Sequence, residues 1–129
     1  MPTRRKTARE KRGDLIFATE DPYRNIVRLE RDTWEVHILP RHDDLPSGTT
    51  GETVRNLIKE PDRIRVSTTD DDVLAFENST IRALVLYEST DYRSGNTFGR
   101  VTTVYPPDES RHPNVGETIW ESKVTGTNP

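Results

Sequence analysis

Two short stretches gather the side chains that could do chemistry. Trp34-Glu-Val-His-Ile-Leu-Pro-Arg-His42 places two of the three histidines, an arginine and a tryptophan on one segment with helical spacing. Gly99-Arg-Val-Thr-Thr-Val-Tyr105 is a strand-like run in which Thr103 and Tyr105 stand two apart and therefore share a face. Imidazole, guanidinium, hydroxyl and phenol are the groups that can break a phosphodiester without a metal, so nuclease chemistry is the sharpest reading of these residues.

Each residue also has a plainer explanation. His37 lies between Val36 and Ile38, as a packed core histidine would, and His42 precedes Asp43 and Asp44, with which a surface imidazole can pair. Arg63 and Arg65 alternate with Ile64 and Val66, the pattern of a strand with one solvated face. Thr103 and Tyr105 are ordinary strand formers, and His112 sits in a Pro- and Asn-rich loop. Three consecutive carboxylates, Asp70 to Asp72, cannot all face one ion from a strand and read as a solvated hairpin. No spacing matches a zinc site or an EF-hand, and no glycine-rich phosphate loop is present. The expectation is therefore no metal and no cofactor. Asn78-Ser79-Thr80 matches a glycosylation acceptor, read here as chance.

Composition narrows the class. A chain of 129 residues suits one domain with a modest core. Without cysteine there is no disulfide framework, thiolate metal site or cysteine nucleophile. No stretch approaches the roughly 18 apolar residues of a membrane span, and no apolar run follows the basic N-terminus as in a signal peptide. A cytoplasmic location is the expectation. Charge is uneven: the first twelve residues carry +5 and the whole chain −3, which leaves −8 on the other 117. Residues 1–13 read as a basic, flexible tail able to meet phosphates or simply to solubilise, and 14–129 as a single domain. The acidic body argues against extended nucleic-acid binding.

The elements that would position these residues follow from periodicity. Asp14 to Thr19 and Asn25 to Glu30 are short strand-like runs. Asp32 reads as the N-cap of a helix from Thr33, with Trp34, Ile38 and Leu45 on one face and a kink or split at Pro40. Thr49 with Glu52 matches a capping box for a second helix carrying Val54, Leu57 and Ile58, which ends before Pro61. The period then changes to two through Arg63 to Thr69, Val73 to Glu77, Ile81 to Glu88 and Phe98 to Tyr105. Short links between these four require antiparallel neighbours. Pro106-Pro107 then stops the sheet, and a loose segment with Ile119-Trp120 closes the chain. The predicted fold is α+β, with two N-terminal helices packed on a four-stranded antiparallel curved sheet.

In this order the parts resemble the small ribonuclease superfamily grouped as barnase, EndoU, colicin and RelE-like, in its phage- or toxin-associated branch. The resemblance rests on Trp34…His37-Ile38…Arg41-His42, the Pro61-Asp62-Arg63-Ile64 turn, the apolar strand Ala83-Leu84-Val85-Leu86, Val101-Thr102-Thr103-Val104-Tyr105, and Gly116-Glu117-Thr118-Ile119-Trp120. It covers roughly residues 25 to 121. Each motif alone is weak, and the ordered set carries the likeness. Asp43-Asp44-Leu45 is more acidic than the pattern suggests beside RNA, and Val104 stands where the family often has alanine.

The resemblance implies metal-independent RNA cleavage with the substrate's own 2′-hydroxyl as nucleophile. Such an enzyme must take a proton from that hydroxyl, return one to the leaving 5′-oxygen, and stabilise the growing negative charge. Histidine suits the proton steps and arginine the phosphate. The implied site is His42 or His37 as acid/base, Arg41 or Arg63 on the phosphate, and Thr103 and Tyr105 as donors to the phosphate or orienters of the base. RNA would be the substrate, and a toxin of this kind would travel with a cognate inhibitor or immunity protein. The alternative is a phage-derived or partner-binding module that kept the fold without the activity, since fold does not fix function.

Overall fold

The computed structural model describes residues 14–41, 43–108 and 114–122. The basic tail, His42 and His112 lie outside these described residues. Strands β1 (Leu15–Glu20) and β2 (Ile26–Glu30) form an antiparallel hairpin, followed by a π-helix at Thr33–Ile38 and a 3-10 turn at Leu39–Arg41. Helix α1 (Gly51–Lys59) precedes β3 (Arg63–Ser67), β4 (Val73–Glu77), β5 (Arg82–Tyr87), β6 (Phe98–Tyr105) and β7 (Val115–Glu121). One seven-stranded sheet runs in the order β1-β2-β6-β5-β4-β3-β7.

This corrects the expected four-stranded antiparallel sheet behind two N-terminal helices. The four strands β3 to β6 do form an antiparallel meander. The hairpin comes before both helices and extends the sheet on one side, with β2 parallel to β6. On the other side the tail is a strand rather than a loose segment: β7 pairs antiparallel with β3. Arg65 helps to hold it there, because its Nε donates to the Gly116 carbonyl at 2.8 Å.

A buried polar knot explains where the hairpin docks. The Asp21 carboxylate accepts from the backbone N–H groups of Tyr23 and Asn25, both at 2.9 Å, which shapes the β1–β2 turn. It also accepts from the Tyr87 hydroxyl at 2.6 Å. Asn25 donates to the Tyr92 carbonyl at 2.7 Å and accepts from the Thr97 N–H at 3.2 Å. The turn is thereby tied to β5 and to the approach to β6, and a buried carboxylate without such donors would be costly.

The helices cover one face of the sheet. Trp34 and Ile38 from the π-helix and Val54, Leu57 and Ile58 from α1 meet Ile64, Phe76, Val85 and Val101 from the strands. Each such large apolar side chain contributes about 1.5–3 kcal/mol when fully buried. Pro40 ends the π-helix as the sequence implies, but Asp32 is itself helical, with no capping hydrogen bond from its side chain. The α1 cap also shifts by one residue: Thr50 and Thr53 form the reciprocal box. Among the described residues no helix is long and apolar enough to cross a membrane.

Candidate active site on the open sheet face

The sheet face opposite the helices carries the polar chemistry. Register places Arg63, Glu77, Arg82 and Tyr105 in one row across β3, β4, β5 and β6. The next row is Arg65, Ala75, Leu84 and Thr103. A bulge between Leu84 and Val85 lets Val101 and Val104 both face the core. The residue inserted there turns Thr103 and Tyr105 to the open side.

Glu77 is the centre of the first row. It is 0% exposed, yet its two oxygens take charge-assisted hydrogen bonds from opposite sides. Arg82 Nε donates to Oε1 at 2.7 Å, and Arg63 Nε donates to Oε2. The Arg65 guanidinium lies 3.7 Å from Oε2. Three arginines thus share one carboxylate. Arg82 is as buried as Glu77, with its guanidinium 5.7 Å from the Tyr105 ring centroid. Burial works to lower the Arg82 pKa, but hydrogen bonding to Glu77 and Tyr105 outweighs it and the pKa is raised. Burial raises the Tyr105 phenol against the opposing pull of Arg82, so it stays protonated at neutral pH.

Tyr105 and Thr103 form one wall of an open cleft of about 670 Å³ beside this row. Val73, Ala75, Leu84 and Leu86 make an apolar floor, and Ser67, Thr69, Asp70, Asp72 and Asn114 the opposite rim. A flat apolar floor with a hydroxyl-rich edge next to guanidinium charge can hold a nucleotide's base or sugar while its phosphate meets an arginine. Among the described residues no cluster of three or more His, Asp or Glu side chains is arranged to hold a metal ion.

The structure brings Thr103 and Tyr105 together at the cleft, sets Arg63 on the same face three strands away on β3, and separates all three from His37 and Arg41. His37 is exposed rather than packed in the core, on the π-helix that seals the opposite face. Arg41 is exposed in the 3-10 turn that follows. Sequence reasoning missed Glu77 and Arg82. Glu77 ends an apolar strand, and Arg82 begins one, so neither stands out as a motif. The signal was the alternation itself, which puts Arg82 on the face opposite Ala83 and Val85.

Comparison with protein-family models, with curated proteins and with solved structures gives no match.

Proposed function

We propose that this domain is a metal-independent endoribonuclease that works on the open face of its sheet. The observation that carries this reading is that Thr103 and Tyr105 line one cleft on the sheet face that also carries Arg63 and Arg65, in the same two register rows. Arg63, the most exposed arginine of the cluster, takes the scissile phosphate, and the Thr103 hydroxyl donates to its growing charge. Tyr105, held protonated, gives its proton to the leaving 5′-oxygen. The 2′-hydroxyl attacks phosphorus, the bond to the 5′-oxygen breaks, and the product is a 2′,3′-cyclic phosphate. The 2′-hydroxyl proton passes to a carboxylate on the rim of the cleft, Asp70 or Asp72. Glu77 and Arg82 touch no substrate and position Tyr105. A cytoplasmic location and a dedicated protein inhibitor belong to the same proposal.

A second reading has its own support. Glu77 and Arg82 are sealed from solvent, and no histidine stands on the open face among the described residues. A module that binds RNA without cutting it would look the same. Incubation of the purified protein with a labelled oligoribonucleotide in excess chelator separates the two. Cyclic-phosphate products from RNA, with the 2′-deoxy oligomer left intact, support the nuclease. Tight binding with no cleavage supports the module.

A further inference from the structure

Beyond the cleft, the open face carries a feature that breaks a rule of sheet stability. Arg28 of β2 and Arg100 of β6 are register partners on neighbouring strands. Both project from the open face, because Val27, Leu29 and Val101 take the core side. Like charges directly opposite each other destabilise a sheet. Arg28 has Glu30 at 3.4 Å, while Arg100 makes no ion pair among the described residues. The preceding row pairs Ile26 with Phe98, two large apolar side chains left 40% and 49% exposed. Arg28, Phe98 and Arg100 line one shallow cleft of about 270 Å³, which meets the larger cleft at Asp72 and Leu86.

We propose that Arg28, Arg100 and Phe98 form a subsite for an unpaired nucleotide of single-stranded RNA. This rests on the nuclease reading to the extent that the same strand continues into the cleft beside Thr103. The two guanidiniums take one phosphate between them, which relieves their repulsion, and the adjoining base stacks on the exposed Phe98 ring. Asp72 and Glu88 at the edge of the shelf can accept from a base amino group. A duplex cannot offer an unstacked base to this ring, so the subsite selects single strands.

The test uses the full chain and a 2′-O-methyl oligoribonucleotide of about eight nucleotides, which the proposed chemistry cannot cleave, with fluorescence anisotropy as readout. The expected result is binding weakened about 10-fold or more by Phe98→Ala, with the salt dependence unchanged. Arg100→Ala is expected to weaken binding and to lower the salt slope by about 0.7. Phe98→Trp should retain binding. All three side chains are exposed or half-exposed, and unchanged thermal melting of each variant confirms that the fold is kept. Unaltered affinity in both alanine variants, or equal affinity for the matching duplex, would overturn the subsite. Because the probe cannot be cut, that outcome is independent of whether the wild type cleaves RNA.

Discussion

Removing the charge of Glu77 should unfold the protein more readily than almost any other single polar change. In Glu77→Gln the Arg82 guanidinium, 1% exposed, keeps its charge and loses its carboxylate. Breaking a buried ion pair from one side costs about 3–5 kcal/mol. Arg63 reduces the damage, since its side chain is 41% exposed and can turn to water. Arg82 cannot, so a loss remains, and with Arg63 relieved it should fall near the lower end, about 3 kcal/mol. For a domain of this size that corresponds to a fall in Tm of roughly 12 °C. Urea unfolding followed by the fluorescence of Trp34 and Trp120 measures it directly. The double variant Glu77→Gln/Arg82→Met removes the stranded charge and should recover most of the loss. A loss below about 1 kcal/mol in the single variant, or a double variant no better than the single, would refute the assignment of a desolvated ion cluster.

Other consequences are equally direct. A Cβ added at Gly99 would meet Val85 Cγ1 at 2.7 Å, so Gly99→Ala should cost about 1–3 kcal/mol in the same urea experiment, and a neutral result would contradict the close packing of β6 on β5. Burial, followed by the Asp21 carboxylate, raises the Tyr87 pKa. The folded state therefore holds this proton more tightly than the unfolded state. Its contribution is full below the unfolded value of about 10 and is lost as pH rises beyond it, by up to about 1.4 kcal/mol per pH unit. Stability curves between pH 9 and 12 should flatten in Tyr87→Phe, and an unchanged slope would show the phenol is not the group responsible. Gly95 sits at φ +79 with the Tyr23 carbonyl 2.5 Å from where its Cβ would lie, so Gly95→Ala should lower Tm measurably and loosen the β1–β2 turn it contacts. Calorimetry checks the first effect, and hydrogen exchange at Tyr23 and Arg24 the second.

How far the sequence could be read depended on the kind of signal. Period-two alternation located β3 to β6 because each strand buries one face, and Ile81, Ala83, Val85 and Tyr87 lie on the core side as that period requires. The strand-like look of Asp14 to Thr19 and Asn25 to Glu30 was visible too. Their place in the sheet was not, because it depends on the Asp21–Tyr87 and Asn25–Tyr92 bonds across 66 and 67 residues. The strand β7 was hidden for a similar reason: its residues are partly exposed at an edge, and only pairing with β3 makes it a strand. At the candidate site, the two-residue spacing of Thr103 and Tyr105 was enough to place them together. Grouping His37 and Arg41 with them failed, since a single sequence does not show which side of a sheet a preceding helix will cover.

The most direct test of the account is where on the molecule RNA cleavage depends. A chelator-resistant assay on one oligoribonucleotide should show Arg63→Ala and Thr103→Ala lowering kcat/KM by roughly 100-fold, the scale of losing one transition-state donor. His37→Ala, on the opposite side of the sheet, should cut as the wild type does. Loss of cleavage in His37→Ala with full activity in Thr103→Ala would contradict an active site on the open face.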